Sequence, residues 1–234
     1  MEIIKCDKES GIVIKSYNEL DSTQMEIKRL INSNMYSEFE CIITKCQTNG
    51  YGRKGNGWVH LKGNLALSIG YKGKVLENMV CGLLMRLSIV LTKFGVNTLI
   101  KWPNDLYISE SKICGVFVEQ VKEYIVIGIG MNILNDHPSY KSIKDLTGIS
   151  INQIELVYEI FKEIKLFSRL EKVNIDISYI QPKYTYLNGL EYKIVDLQND
   201  CLILKSKDSR LVKISPLYFF YDYKNNELIK RTSF

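Results

Sequence analysis

Residues that build metal sites are scarce in this chain. It has two histidines, His60 and His137, among 234 residues, and none of its six cysteines forms a Cys-x-x-Cys pair. A structural zinc site needs about four such ligands at short spacing, so no metal site is predicted. Widely spaced cysteines are typical of reduced thiols, which predicts a cytoplasmic location.

Long apolar runs and a basic arm are missing as well. The first ten residues, MEIIKCDKES, lack the apolar core of a secretion signal. The most apolar stretch, residues 79–91, contains Arg86 and falls short of the roughly 20 residues that span a bilayer. The net charge of +5 is spread along the chain. We therefore expect no membrane partner, and nucleic acid is a weak default partner.

The apolar pattern predicts an α+β fold with a mixed or antiparallel sheet and packed helices. Predicted helices begin at Thr23, which has capping-box spacing to Glu26, and at Asn152. An apolar helix is expected over residues 77–94, and another over 176–187, although Pro182 opposes the latter. The predicted strands cover residues 11–17, 41–46, 65–71, 98–102, 106–108, 113–121 and 124–133.

The pattern changes at Gly189. About 45 residues of short strands and turns follow, which predict a small C-terminal β-barrel. We predict two domains, a larger one over residues 1–185 and the barrel over residues 186–234. The last three strands before residue 135 predict an antiparallel meander, which would offer an edge for a homodimer.

Residues 50–58, GYGRKGNGW, hold four of the 15 glycines. Gly50-x-Gly52-x-x-Gly55 matches a dinucleotide fingerprint, but a loop and a strand follow it instead of the required helix. P-loop and kinase motifs are also absent from the sequence. The pattern favours a pliable loop in which Arg53 and Lys54 bind an anionic small molecule. The alternative is a solvated hairpin tip.

Three further polar clusters carry candidate function. Residues 101–105, KWPND, follow an apolar strand, and Lys112 opens the next apolar strand. Gly128 and Gly130 stand near the end of a third, where a ligand or a backbone can approach closely. Each has a structural alternative, namely a defined turn, a solvated strand edge and plain strand packing.

Five segments in this order and spacing resemble biotin protein ligases, over most of residues 12–135. The most specific is KWPND followed by Lys112 and Gly115. The tail from Gly189 resembles, more loosely, the small β-barrel that closes these enzymes. The matching segments are ELDSTQ (19–24), QTNGYGRKGNGW (47–58), GNLALSI (63–69), KWPNDLY with SKICGVFVE (101–119) and IGIGMNI (127–133).

The resemblance implies a two-step reaction on biotin, with ATP supplied as its Mg²⁺ complex. The biotin carboxylate attacks the α-phosphate and forms biotinyl-5'-AMP, and a lysine of a biotin carboxyl carrier domain then attacks that mixed anhydride. Cations are needed because two anions must meet, and a closing loop keeps water from the anhydride.

The same resemblance implies residue roles. Arg53 and Lys112 would be catalytic, and Asp105 would orient the acceptor lysine. The nucleotide would be bound by Arg53, Lys54, Trp58, Asn104 and Asn132. Biotin would be bound by Ser22, Thr23, Gln24, Gln47, Gly50, Tyr51, Gly52, Arg53, Lys112 and Gly115.

The sequence departs from the family pattern in two places. Many relatives carry arginine at the position of Tyr51 and a more basic segment at Asn56 and Gly57, so ion pairs from these positions are lost here. Only about ten residues precede the first predicted strand, whereas some relatives carry a DNA-binding domain there. We therefore predict no specific DNA binding.

Two other functions stay open. A lipoate ligase or transferase of the same superfamily would have no use for a polar Ser22 and Gln47 pair, because lipoate has no ureido group. A non-catalytic protein that binds a nucleotide or RNA would use the basic glycine loop and bind with a steep salt dependence.

Overall fold

The computed structural model describes residues 2–6, 11–134, 139–222 and 224–231; His137 lies outside them. The chain forms two sheets and four α-helices in that part of the structure. The helices are α1 (Thr23–Asn32), α2 (Met79–Lys93), α3 (Ile143–Thr147) and α4 (Gln153–Phe167). The strands are β1 (Glu2–Cys6), β2 (Ile12–Tyr17), β3 (Cys41–Thr44), β4 (Leu65–Lys72), β5 (Leu99–Lys101), β6 (Asp105–Ile108), β7 (Ser111–Val121), β8 (Tyr124–Met131), β9 (Ile180–Gln181), β10 (Tyr184–Leu187), β11 (Leu190–Gln198), β12 (Cys201–Lys205), β13 (Leu211–Ile214), β14 (Phe219–Asp222) and β15 (Glu227–Lys230).

The first sheet has nine strands in the order β1-β2-β3-β4-β8-β7-β6-β5-β9. The pairs β2–β3 and β5–β9 are parallel, and the others are antiparallel. Helices α2 and α4 contact each other, and α2 also contacts β5, β6 and β7, so the main apolar core lies there. Helix α1 contacts β3, β4 and β8 and closes a smaller core around Ile27 and Ile42. The predicted α+β fold class is confirmed.

The start of α1 differs from the sequence expectation by one residue. Ser22, and not Thr23, is the N-cap, and its side chain accepts a hydrogen bond from the Met25 backbone. The predicted capping box of Thr23 with Glu26 is therefore wrong. Because Thr23 is the first helical residue, its hydroxyl is free of capping. Asn152 caps α4 as predicted, through the Ile154 and Glu155 amides.

The expected helix over residues 176–187 is wrong. A 3₁₀ turn covers Ile177–Tyr179, and the strands β9 and β10 follow it. Pro182 supplies no backbone N–H and ends the helical pattern there. A strand that the pattern did not predict, β1, pairs with β2.

The second sheet has six strands in the order β13-β12-β11-β10-β15-β14. No pairing between β13 and β14 closes it among the described residues, so the predicted barrel is an open sheet there. Its first strand along the chain, β10, starts at Tyr184. The predicted domain boundary between residues 185 and 186 therefore falls inside this strand. The two-domain division itself stays a prediction.

Two polar side chains join the sheets. The Trp102 indole Nε1 donates to the Asp200 carbonyl at 3.1 Å. Asn78 receives the Asp200 backbone N–H at 2.8 Å and donates to the Leu197 carbonyl at 3.4 Å. These bonds connect the KWPND turn and the start of α2 to the β11–β12 hairpin.

The meander of β6, β7 and β8 offers no free edge in the described part of the chain, because β8 pairs with β4 and β6 pairs with β5. The sequence argument for a homodimer, which required a free edge of the meander, therefore has no support in this structure. None of the helices described here is long and apolar enough to cross a membrane.

Candidate active site

A cavity of about 230 Å³ lies beside the glycine segment, between it, the start of α1 and strands β4, β6, β7 and β8. All but two of the predicted site residues line it; the exceptions are Gly50 and Asn132. The predicted residues that line it are Ser22, Thr23, Gln24, Gln47, Tyr51, Gly52, Arg53, Lys54, Trp58, Asn104, Asp105, Lys112 and Gly115.

The glycine segment is a short hairpin. Tyr51 pairs with Gly57, and the Trp58 amide donates to the Gly50 carbonyl at 2.8 Å. Its tip is the 3₁₀ turn Arg53–Gly55, where Lys54 has φ of 58°. The two interpretations of this segment, a hairpin tip and a ligand-binding loop, are thus compatible, because the hairpin tip forms one wall of the cavity.

Gly50 supports the loop without lining the cavity. A Cβ there would stand 2.6 Å from the Trp58 carbonyl oxygen and 2.7 Å from Gln47 Nε2. Glycine is required because the two arms of the hairpin meet at this point.

Trp58 covers Gly130 of β8. A Cβ at Gly130 would be 2.3 Å from the indole ring. The Lys112 ammonium lies 5.7 Å from the centre of this ring. Glycine is therefore needed at position 130 because the Trp58 ring packs directly on its backbone. The Trp58 indole N–H remains a buried donor without a hydrogen-bond partner among the described residues.

Lys112 and Asp105 form an ion pair with a 2.7 Å N–O distance. A β-bulge between β6 and β7 brings them together, because Leu106 pairs with Cys114 while Tyr107 pairs with Lys112. The extra residue, Ile113, shifts Lys112 onto the face that carries Gly115 and Asp105. Burial raises the pKa of Asp105, although the Lys112 ammonium opposes this shift.

Arg53 is connected to the same pair through the KWPND turn. Its guanidinium donates to the Asn104 side-chain oxygen at 3.2 Å. Burial and the nearby Arg231 guanidinium lower the pKa of Arg53. Four cationic side chains thus lie around one cavity and favour an anionic ligand, namely Arg53, Lys54, Lys112 and Arg231.

Uncharged polar groups line another part of the cavity. Gln47 Oε1 accepts from the Thr23 backbone N–H at 2.9 Å. The Gln47 backbone N–H donates to His60 Nδ1 at 3.1 Å, and His60 Nε2 lies 3.0 Å from the Asn64 carbonyl. Because that carbonyl only accepts, His60 carries its proton on Nε2. Burial lowers the pKa of His60, so this orientation persists at neutral pH.

Asn132 stands behind Lys112. Its side chain donates to the Lys112 carbonyl at 3.4 Å and accepts from the Asn64 amide at 3.1 Å. Its backbone N–H donates to the Ile113 carbonyl at 2.7 Å. These bonds secure the bulge, so Asn132 positions Lys112 from outside the cavity.

Tyr51 connects the hairpin to β7 through a hydrogen bond from an uncharged side chain. Its hydroxyl donates to Glu119 Oε2 at 3.0 Å, and its ring packs edge-on against Phe117 at 5.6 Å. Burial, reinforced by Glu119, raises the pKa of Tyr51, so the phenol stays protonated. The hairpin is therefore tied to β7 through a neutral side chain.

Sequence reasoning missed several lining residues. Two of them, Ser68 and Phe117, alternate with core residues on their strands. Side chains alternate between the two faces of β4 and β7, so these two residues lie on the face that lines the cavity. Knowing which residues of neighbouring strands pair with each other would have predicted them. No local signal marked Arg231, which reaches the cavity from the end of β15.

Comparisons with known proteins identify relatives of this chain. The sequence profile of the "Biotin/lipoate A/B protein ligase family" matches residues 14–132. The "Bifunctional ligase/repressor BirA" of Salmonella typhimurium is 31% identical over 139 residues, which are 50% of this chain and 43% of that protein. The "Biotin--[acetyl-CoA-carboxylase] ligase" of Mycobacterium tuberculosis is 24% identical over 138 residues, 53% of this chain and 52% of that one.

A solved structure, "Biotin protein ligase from Aquifex aeolicus in complex with biotin and ATP", superposes with a TM-score of 0.74. It is 23% identical, and the match covers 94% of this chain and 99% of that one. At this identity the likeness shows the shared fold. The chain belongs to the biotin/lipoate A/B protein ligase family. It spans less than half the length of the BirA relative from Salmonella typhimurium.

Proposed function

We propose that this protein is a biotin–[acetyl-CoA-carboxylase] ligase. It activates biotin as biotinyl-5'-AMP and transfers the biotinyl group to a lysine of a biotin carboxyl carrier domain. The observation that carries the proposal is one cavity that joins an uncharged hydrogen-bonding wall to a cationic cluster. A ureido ring suits such a wall, and a carboxylate beside a phosphate suits such a cluster.

In the first step, a biotin carboxylate oxygen bonds to the α-phosphorus while the bond to pyrophosphate breaks and its electron pair leaves with pyrophosphate. Lys112 neutralises the carboxylate and the α-phosphate oxygens as they approach. Arg53, fixed by Asn104, binds the same oxygens from the hairpin. Lys54 and Arg231 bind the outgoing phosphates; Arg231 Nε is buried and has no acceptor among the described residues.

In the second step, the acceptor lysine attacks the carbonyl carbon and AMP leaves. A lysine must lose a proton before it attacks, and Asp105 is the carboxylate beside the reacting groups. Its raised pKa moves it toward the range of a useful base. Mg²⁺ enters with ATP as part of the substrate, held by the phosphates.

Intact-mass analysis of a biotin carboxyl carrier domain, incubated with the protein, ATP and biotin, tests this function. We expect one biotinyl group per acceptor domain, and none when ATP is replaced by AMP. A carrier domain whose target lysine is replaced by arginine is the matched control. No mass change on the wild-type domain would refute the proposal.

The lipoate alternative is weaker, because the described wall is polar where a ureido group would bind, whereas lipoate has no such group. Pyrophosphate exchange driven by lipoate alone would favour it. The RNA-binding alternative requires retention on single-stranded RNA without adenylate formation. The cations here lie around a single cavity of about 230 Å³, which suits a small ligand better than a strand.

Further partner properties stay predictions. We expect no specific DNA binding at physiological salt, which operator-retention assays test. The predicted cytoplasmic location and homodimer are tested by fractionation and by sedimentation analysis.

A further inference from the structure

A chain of hydrogen-bonded side chains runs from Glu119 on β7 to the polar wall of the cavity. Glu119 is held from two sides. The Lys28 ammonium lies 3.0 Å from Oε1, and the Tyr51 hydroxyl donates to Oε2 at 3.0 Å. An ionised carboxylate only accepts hydrogen bonds, so it fixes the direction of every bond that reaches it.

The next member of the chain, Gln24, has its amide oriented by that carboxylate. Gln24 Nε2 donates to Glu119 Oε2 at 3.2 Å and to the Val126 carbonyl at 3.3 Å. Neither partner can donate, so the amide nitrogen must face them. Gln24 Oε1 therefore faces the other way, where Gly128 leaves room; a Cβ there would be 2.8 Å from this oxygen.

The orientation of the Gln24 amide then fixes the directions of the hydrogen bonds made by the Ser68 and Thr23 hydroxyls. Ser68 donates its single proton to Gln24 Oε1 at 3.1 Å. The 2.8 Å contact between Ser68 and Thr23 must consequently be donated by Thr23, in preference to the longer 3.2 Å contact of the Thr23 hydroxyl with Gln47 Oε1. All three side chains are at most 4% exposed, so water does not supply alternative partners.

The outcome is a wall of defined polarity. Thr23 has spent its proton and offers lone pairs, whereas Gln47 Oε1 is occupied by the Thr23 backbone N–H and leaves the amide nitrogen as a donor. A ureido ring has N–H donors and a carbonyl acceptor, which matches this pair.

We propose that Glu119 is a positioning residue that sets the hydrogen-bonding polarity of the ureido-binding wall through Gln24, Ser68 and Thr23. This inference rests on the proposed function. A neutral amide at position 119 that keeps its oxygen on the Lys28 ammonium turns its NH₂ group toward Gln24, which favours the reversed Gln24 amide at the expense of the 3.3 Å bond to the Val126 carbonyl. Ser68 and Thr23 then reverse in turn, and Thr23 presents a proton to a ureido N–H.

The test compares Glu119→Gln with Glu123→Gln, the same change at an exposed turn residue away from the cavity. Biotin-dependent ATP–pyrophosphate exchange is measured with biotin and with desthiobiotin, which keeps the ureido ring. Glu119→Gln should raise KM for both acids by a similar factor, roughly tenfold, because a mispaired buried hydrogen bond costs that order. KM for ATP and kcat should change less than about twofold, since the Tyr51 hydroxyl can pair with an amide as well as with a carboxylate, so the hairpin that carries Arg53 and Lys54 keeps its place. Glu123→Gln should match wild type.

A second readout is independent of catalysis. In the ligand-free protein, the side-chain NH₂ resonances of Gln24 should move in Glu119→Gln and stay in place in Glu123→Gln. Unchanged Gln24 resonances, or equal rises in KM for ATP and biotin, would overturn the inference while leaving the proposed function intact. Absence of biotin-dependent exchange in the wild type would refute both.

Discussion

Replacing Lys112 separates a chemical role from a structural one. Lys112→Ala removes the ammonium 2.7 Å from Asp105 and leaves the backbone bonds of Asn132 to the bulge in place. Losing one preorganised group that stabilises developing charge costs roughly 10²–10³-fold in kcat. We therefore expect adenylation to fall by that factor.

The effect on folding should be far smaller. The Lys112 side chain is 38% exposed, so solvent screens the ion pair and its loss should cost about 1 kcal/mol or less. Domains of this kind have roughly 5–15 kcal/mol of stability, so the variant stays folded. Urea unfolding checks this value beside the exchange assay.

Two controls sharpen the result. Lys72→Ala removes another ion-paired lysine, 3.8 Å from Glu123, and should leave exchange unchanged. The double variant Lys112→Ala, Asp105→Asn removes the unpaired carboxylate, so it should regain stability but not activity. Exchange within about tenfold of wild type in Lys112→Ala would refute the assignment of Lys112 to the reacting groups.

Three further measurements follow from the structure. Gly130→Ala places a methyl group 2.3 Å from the Trp58 ring, so it should displace the indole, shift its fluorescence and raise KM for ATP; an unchanged emission spectrum would contradict the contact. The pKa of Asp105 is raised in the folded state, so ionisation of Asp105 opposes folding. The free energy of unfolding therefore falls as pH rises from the unfolded-state pKa through the folded-state pKa of this group. Asp105→Asn should accordingly gain stability relative to wild type as pH rises above about 4, and a constant difference in urea midpoints would reject this. Asn78→Ala loses two bonds to the second sheet and the left-handed preference at φ of 60°, so the free energy of unfolding should fall by about 2 kcal/mol, measured by urea denaturation.

Much of the fold followed from periodicity. The strands β2, β4, β7 and β8 and helices α2 and α4 agree with their predicted positions to within a few residues. The failures have physical causes. β1 takes its strand form from pairing with β2, and residues 176–187 from pairing with β5 and β11, which are non-local bonds.

The candidate site was predictable where residues are adjacent in sequence. The hairpin and the KWPND turn carry their own signals, so Arg53, Asn104 and Lys112 were found. Glu119 and Arg231 were not, because their roles arise from sheet register and from the contact between the two sheets. Asn132 was found as a site residue, yet its bonds place it behind Lys112.

The bulge at Ile113 has a consequence for any redesign of this sheet. Strands alternate their side chains between two faces, and Lys112 lies over the cavity only because one surplus residue breaks that alternation. Inserting one residue into β6 between Leu106 and Tyr107, so that Ile113 gains a partner and the ladder becomes regular, would turn the ammonium toward the apolar interior. An engineer who straightened this strand would lose the reactive group and place an unshielded charge in the core.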